Sequence, residues 1–412
     1  MHEIRGTNNG AGMLEIRRIN DGEANAASKI CTIAFNVRRD YTKETPKSEF
    51  ESPSDWTWGA FEGGRLVSKI DELPYVMRFD GHDAKMSGIG GVATLPETRK
   101  GGKVRRLFEA CLKDAYSGGV VFSCLAPFSH SFYRQFGYEL CGVRRETRIS
   151  LKKLHKLKHA GSFTQIFPND CTDDLQILHS RYISDINHAI RRDARPDNIM
   201  WRNFIRNDPY NTGCFTYLWR DDGGEPRAYV QYRHIKFENK NGIYVDELIF
   251  DGKEAFFDVL SFIGGLSAAF TDMIWEAPMF VDPTDIAEVA WDVKQRIRPR
   301  DMTRIVNVKA ALEMMRRPEG EGRYVIETED PIVPENSGRF AVEYGPWGSA
   351  VSRTDGDADL SCDLPTLAQL VTGYRTLENL RLSSRSPIVV HKNEKTLNDA
   401  FTLRPQHLTE YF

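Results

Sequence analysis

Between Arg99 and Arg105 the chain sets four cations, Arg99, Lys100, Lys103 and Arg105, around the glycine pair Gly101-Gly102. Directly beyond it, Val104, Leu107, Phe108, Cys111, Leu112 and Ala115 recur at i, i+3, i+4, i+7, i+8 and i+11. That spacing predicts a helix with one buried face, so the basic turn sits on a helix N-terminus. Four backbone N–H groups are unpaired at such an end, and the helix dipole adds about half a positive charge. Glycine lets a bulky anion approach the backbone, and the side-chain cations add long-range attraction. A pyrophosphate fits this description. The turn is not a P-loop, because no Gly-Lys-Ser/Thr follows four spacers after a first glycine, and the dinucleotide fingerprint G-x-G-x-x-G is absent.

The elements around the turn must hold it in place. Ile89-Gly90-Gly91-Val92-Ala93-Thr94-Leu95 reads as a strand that ends at Pro96. After the helix, Gly119-Val120-Val121-Phe122-Ser123-Cys124-Leu125 reads as the next strand. It leads into Pro127-Phe128-Ser129-His130-Ser131-Phe132-Tyr133-Arg134-Gln135-Phe136-Gly137-Tyr138, a short helix closed by an aromatic turn.

Arg99-x-x-Gly102-x-Val104 resembles the acyl-CoA loop of the GCN5-related N-acetyltransferases (GNAT), Gln/Arg-x-x-Gly-x-Gly/Ala, with Val104 departing from the last position. Val-Ala-Thr-x-Pro-Glu-x-Arg-x-x-Gly, Phe-Tyr-x-x-Phe-Gly-Tyr and an aromatic last residue make the chain similar to the Eis (enhanced intracellular survival) family, from about Met13 to Phe412. The resemblance implies an α/β (α+β) chain: two tandem GNAT-like domains followed by a sterol carrier protein-like α+β domain. A polar leader, residues 1–12, is expected to be disordered, with Met13 as a second possible start. Residues 13–150 then form the GNAT domain that binds acetyl-CoA, 151–297 a GNAT-like domain without the coenzyme loop, and 298–412 the sterol carrier-like domain.

Local signals agree with that division. Leu14–Ile19 reads as a first strand, and Trp56–Val67 as a hairpin turning at Glu62-Gly63-Gly64. In the second segment Cys214–Arg220 and Arg227–Arg233 flank the turn Asp221-Asp222-Gly223-Gly224-Glu225, and Ile243–Phe250 runs into Glu254–Leu260. Where the first segment has its basic turn, the second has Phe250-Asp251-Gly252-Lys253-Glu254, two acids beside one lysine, which is ill suited to a pyrophosphate. In the third, Val306–Met315 and Leu364–Leu380 read as helical stretches.

Composition narrows the classes. A hydrophobic content of 41% with 27% charged residues is that of a globular protein, and no apolar run approaches the roughly 18 residues needed to span a bilayer. The start Met-His-Glu-Ile-Arg has no apolar signal segment, and the seven cysteines form no C-x-x-C pair, so a reduced, cytoplasmic protein is expected. A net charge of -3 gives no footprint for nucleic acid, and no metal is expected.

The resemblance also implies roles. Acetyl-CoA is held by Val92, Ala93 and Thr94 of the strand, by Arg99, Lys100, Gly101, Gly102, Lys103, Val104 and Arg105 of the turn, and by Phe128 and Ser129. Tyr133 is the general acid: a phenol near pKa 10 can protonate a departing thiolate whose thiol titrates near about 8.5. Tyr138 is the competing tyrosine and is expected to pack in the core. The general base is the C-terminal carboxylate of Phe412, reaching back to the first domain. An acceptor amine is cationic, so acidic and aromatic residues should line its pocket; Phe35, Asp40, Trp56 and Glu410 are the candidates. Cys124 has no histidine beside it in sequence to suggest an acyl-enzyme, so direct attack is expected. The implied activity is acetyl transfer to primary amines of an aminoglycoside-like or polyamine acceptor by a homo-oligomer, a hexamer. Two other readings stand beside it: acetylation of protein lysines, and a lipid or sterol carrier whose acetyltransferase half is a relic.

Overall fold

The computed structural model describes residues 14–36, 54–154, 161–168, 170–194, 200–201, 204, 213–237, 240–408 and 410. The leader and the remaining gaps lie outside them, as do Asp40 and Phe412.

The first sheet collects β1 (Leu14–Arg18), β2 (Thr57–Glu62), β3 (Arg65–Phe79), β4 (His82–Thr94), β5 (Phe122–Leu125) and β6 (Glu139–Leu140). Two helices cover it. In α1 (Ala24–Ala34) the residues Ala27, Ile30 and Cys31 are buried, and α2 (Lys103–Ser117) buries Leu107, Phe108, Cys111, Leu112 and Ala115, the face that the spacing predicts. Those α2 side chains pack against Ile89, Leu125, Phe136 and Tyr138. Each large apolar side chain so buried contributes about 1.5–3 kcal/mol, enough to fix how the helix, and with it the basic turn, sits on the sheet. The short α3 (His130–Arg134) follows β5.

The chain then leaves this sheet at Gly142. β7 (Val143–Ser150) enters a second seven-stranded sheet with β8 (Ser162–Ile166), β9 (Cys214–Arg220), β10 (Pro226–Phe237), β11 (Lys240–Phe250), β12 (Asp272–Ala277) and β13 (Lys294–Pro299), in the order β13-β7-β12-β11-β10-β9-β8. α4 (Asp173–Tyr182) and α5 (Lys253–Gly265) lie on it. The chain returns at Arg300-Asp301, and β14 (Met302–Ile305) inserts between β5 and β6 of the first sheet. The two sheets therefore exchange strands through adjacent crossings. At Gly142 a Cβ would overlap the Asp301 carboxylate, so the outgoing crossing has room only for glycine.

After α6 (Val308–Met314), the third sheet has the order β17-β16-β15-β18-β19, from β15 (Gly322–Thr328), β16 (Gly338–Gly345), β17 (Gly348–Arg353), β18 (Leu360–Cys362) and β19 (Ile388–Val390). The expected helix over 364–380 is two helices, α7 (Leu364–Val371) and α8 (Leu377–Arg381). Gly373, at φ 70°, turns the chain between them. α9 (Glu394–Ala400) completes the elements. Met77, Phe79 and Met86 of the first sheet share one core with Leu312, Tyr324, Leu367 and Phe401, so this unit packs on the first. No described helix is long and apolar enough to cross a membrane.

Candidate active site

β4 and β5 run parallel and pair from Met86–Phe122 to Ile89–Leu125. Beyond that rung β4 continues through Gly90–Thr94 while the chain leaves β5, so the two strands part at the end where the basic turn begins. β4 also bulges here. Lys69 faces Ala93 but Asp71 faces Gly90, which leaves Gly91 and Val92 opposite Ile70 alone. Gly91 takes φ 52°, and a Cβ on it would overlap Asp71 Oδ2, so the bulge depends on glycine twice over.

Over the bulge lies a buried ion pair. Lys69 Nζ donates to Asp71 Oδ2 at 2.7 Å, and the two residues are 3% and 2% exposed. Thr57 Oγ1 donates to the other Asp71 oxygen at 2.7 Å, and Cys31 Sγ lies 3.8 Å from the Gly91 carbonyl oxygen. Asp71 and the thiol together hold the Lys69 ammonium above its ordinary pKa, although burial opposes the charge. Beside this pair, buried Glu72 accepts from Trp58 Nε1 and Ser87 Oγ, both at 2.9 Å, and from Arg18 at 2.5 Å. The sequence offered one signal for the pair. Lys69 and Asp71 stand two apart in an apolar strand, which places opposite charges on the same face.

From Thr94, whose hydroxyl meets Ser68 Oγ at 2.7 Å, the chain passes a short turn at Pro96–Thr98. Lys100, Gly101 and Gly102 then take φ values of 70°, 80° and 74°. Three successive left-handed residues lead onto the N-terminus of α2, whose unpaired backbone N–H groups suit an anion. No acidic residue lies in the first turn of α2. Arg99 and Lys100 are exposed, and their side chains carry no bond among the described residues. Lys103 departs from its expected role: its buried ammonium donates to the Thr98 and Lys100 carbonyls at 2.9 and 3.3 Å and pairs with Glu62 at 2.9 Å. It staples the turn from beneath. Arg105 reaches Gln135 at 2.8 Å, and Val104 packs partly buried on the α2 core.

Two tyrosines close the site, and their hydroxyls separate them. Tyr138 is fully buried, with its hydroxyl 2.7 Å from Ser123 Oγ. Tyr133 is buried among Phe108, Phe128 and Phe132, at ring distances of 6.1, 5.4 and 5.2 Å, while its hydroxyl has no partner among the described residues. Desolvation pushes the Tyr133 phenol up to about 12, so it keeps its proton at neutral pH. Ser129 caps α3 by accepting from the Phe132 N–H at 3.4 Å, and Phe128 is 74% exposed beside Tyr133.

On the acceptor side, Phe35 is 57% exposed one turn beyond Cys31, and half-buried Trp56 precedes Thr57, so both neighbour the residues that hold the bulge. Glu410 is placed differently from expectation. Its carboxylate accepts from Arg192 at 2.8 Å, and Arg192 also grips Glu247 at 2.8 and 3.0 Å. The adjacent Arg191 donates its N–H to the Val76 carbonyl at 2.9 Å. Glu410 therefore shares the buried Arg192 with Glu247 of β11. Arg192 and Glu247 gave no signal in the sequence, because 55 residues separate them and neither falls in a motif.

Family models match the chain in three parts: an acetyltransferase (GNAT) domain over residues 15–141, a second acetyltransferase (GNAT) domain over 192–305, and a sterol carrier protein domain over 308–409. The chain belongs to the GNAT acetyltransferases. Solved structures share the whole architecture. Eis1 from Mycobacterium abscessus aligns over 97% of this chain and 100% of its own, at 20% identity and a TM-score of 0.79. A GCN5-related N-acetyltransferase from Anabaena variabilis ATCC 29413 aligns over the same shares at 18% and 0.84, and a conserved protein of unknown function from Enterococcus faecalis V583 at 23% and 0.84. No curated protein sequence matches the chain.

The second GNAT domain repeats the layout with a different turn. β11 and β12 are parallel, as β4 and β5 are, and α5 starts where α2 does. Its turn is already neutralised: Asp251 pairs with Arg181 at 2.9 Å and Arg227 at 3.3 Å, and Glu254 lies in the first turn of the helix.

Proposed function

We propose that this GNAT protein transfers the acetyl group of acetyl-CoA to a primary amine of an aminoglycoside-like or polyamine acceptor. The observation that carries the reading is the run of left-handed residues Lys100–Gly102 on the N-terminus of α2, at the end of a bulged strand that parts from its neighbour. Arg99 and Lys100, exposed beside that turn, suit the pyrophosphate. The main chain at Val92–Thr94 suits the thioester, whose carbonyl would be polarised by a backbone N–H of the bulge.

The acceptor nitrogen forms its bond to the acetyl carbon as the C–S bond breaks. Two protons must be placed: one leaves the ammonium for a base before the attack, and one reaches the departing thiolate from an acid, which regains it from the second N–H proton lost as the amide forms. A neutral Tyr133 with an uncommitted hydroxyl suits the second. For the first, the α-carboxylate of Phe412 is the proposed base; Glu410, two residues before it, is tied to Arg192. A carboxyl near pKa 3.5 is a weak base in water, and burial would raise it. Exposed Phe35 and half-buried Trp56 offer rings to a cationic acceptor, and Asp40 a charge. The test is release of free CoA from acetyl-CoA with aminoglycosides, polyamines and lysine peptides, beside a variant that lacks Phe412. Turnover with a polyamine acceptor that vanishes in the truncation supports the proposal. Turnover confined to lysine peptides replaces the acceptor class, and absence of acetyl-CoA binding removes the reaction.

A further inference from the structure

The crossings that exchange strands between the first two sheets enclose a cavity of about 450 Å³. Its walls are residues 142–144, Arg300 and Asp301 from those crossings, the end of β12, the turn residue His188, and the stretch 403–408 that leads to the chain end. The volume falls within the range of small-molecule pockets.

Among the residues of its lining, Asp301 and His188, which are 3% and 1% exposed, carry buried polar atoms without a hydrogen-bond partner, Asp301 Oδ2 and His188 Nε2. The Asp301 oxygen lies 3.9 Å from His188 Nδ1, too far for a hydrogen bond. Burial without partners is costly, so such atoms call for an occupant. His188 is held there at some expense, since it takes φ 66° and donates its N–H to the Arg78 carbonyl at 3.0 Å. Burial pushes the His188 imidazole down to about 4, which leaves it uncharged at neutral pH.

The charges of the lining are already matched. Arg144 and Arg300 face Glu276 at 2.8 and 3.7 Å, and Arg404 pairs with Asp80 at 3.2 Å, while burial pushes the Asp301 carboxyl up to about 6 against the opposing pull of Arg300. An ionic ligand would leave one of these unpaired. The rest of the wall includes Met279, Phe280 and Leu408.

We infer that this cavity is a second ligand site, which takes a small neutral molecule with a hydroxyl or amide N–H for Asp301 and His188 and an apolar body for Met279, Phe280 and Leu408. A hydroxyl donates to Asp301 Oδ2 while it accepts from His188 Nε2, or the imidazole accepts in its other tautomer. One water could bridge the two atoms, but a water occupies only about 30 Å³ and would leave the apolar wall empty. The inference does not depend on the acyl-transfer reading.

The test uses the full chain with naphthalen-2-ylmethanol and its methyl ether, by ligand-observed NMR and calorimetry. The alcohol should bind wild type at least about tenfold more tightly than the ether, which cannot donate to Asp301. Met279→Trp fills the cavity from a partly exposed position and should abolish binding of both, with an unchanged circular dichroism spectrum. Asp301→Asn should erase the preference for the alcohol. Equal binding of alcohol and ether, undiminished binding to Met279→Trp, or no binding of either compound overturns the site and leaves water as the partner of the two atoms.

Discussion

The turn that enters α2 and the turn that enters α5 occupy the same place in two copies of one fold, and they treat the helix N-terminus in opposite ways. In the first, Lys100, Gly101 and Gly102 are left-handed, Arg99 and Lys100 have no side-chain partner among the described residues, and no acid enters the first turn. In the second, Asp251 and Glu254 supply the negative charge from within, and Arg181 and Arg227 hold Asp251. A helix dipole attracts an anion in either case. What differs is whether the chain has already provided one. The bulges diverge in the same sense. The first is set over the buried Lys69–Asp71 pair. The second, at Asp246 of β11, faces Arg233 across 3.3 Å at a half-exposed site. Fold alone thus says little about which copy acts, and the proposal for the first copy rests on its side chains.

The sharpest break in the comparison is the chain end, which is proposed to serve the first copy only. Deleting Phe412 should lower turnover by about a hundredfold or more, the scale of a lost general base, while calorimetry still detects acetyl-CoA binding. Full activity in the truncated chain would move the base elsewhere.

Next in size is the contrast between the bulges, read as stability. Lys69→Met strands a buried carboxylate and should cost about 3–5 kcal/mol in denaturant unfolding. Arg233→Met breaks an exposed pair and should cost less than about 1 kcal/mol. The double variant Lys69→Met/Asp71→Leu removes both charges and should recover much of the loss. Equal costs for the two single variants would mean that the first bulge owes nothing to its ion pair.

Much of this was legible in the sequence and some was not, for physical reasons. The α2 face could be read because a 3.6-residue period needs no knowledge of the partner sheet. The basic turn could be read because glycine and cation types declare their use locally. The strand exchange could not: Val143–Ser150 and Met302–Ile305 look like strands anywhere, and nothing local says which sheet each joins. The stretch over 364–380 read as one helix because its apolar spacing hides the left-handed Gly373, against which Arg404 packs. Lys103 reads as a phosphate cation because its charge is visible in sequence, whereas Glu62, which neutralises it, stands 41 residues away.

Tyr133→Phe tests the proton donor at an intermediate scale. Turnover should fall by about tenfold or more, with acetyl-CoA affinity within about twofold. The sign of the pH effect is fixed by burial. Because the phenol is pushed up to about 12, the acid stays protonated through pH 10, and wild type should show no alkaline loss of turnover attributable to it below that point. An alkaline limb near pH 9 that disappears in Tyr133→Phe would contradict the raised value. Tyr138→Phe should act on stability instead, since it removes the hydrogen bond to Ser123, at a cost of about 1 kcal/mol.

The smallest effect separates the two turns most cleanly. Gly102 and Gly252 each take a positive φ at the position before a helix, 74° and 93°, and a Cβ on either would come no closer than 4.0 Å to a neighbouring residue. Alanine at Gly102, in the left-handed helical region with ψ 11°, should cost about 1 kcal/mol, and alanine at Gly252, whose ψ of 171° lies in a region essentially confined to glycine, up to about 3 kcal/mol. Gly252→Ala should therefore melt at the lower temperature. Only Gly102→Ala adds a methyl group where the pyrophosphate is proposed to approach the chain, so only it should raise the KM for acetyl-CoA, by about three- to tenfold, with little change in kcat. A matching rise in Gly252→Ala would mean that KM follows general loosening of the fold. A normal KM in Gly102→Ala would mean that the anion sits on Arg99 and Lys100, away from the backbone of the turn.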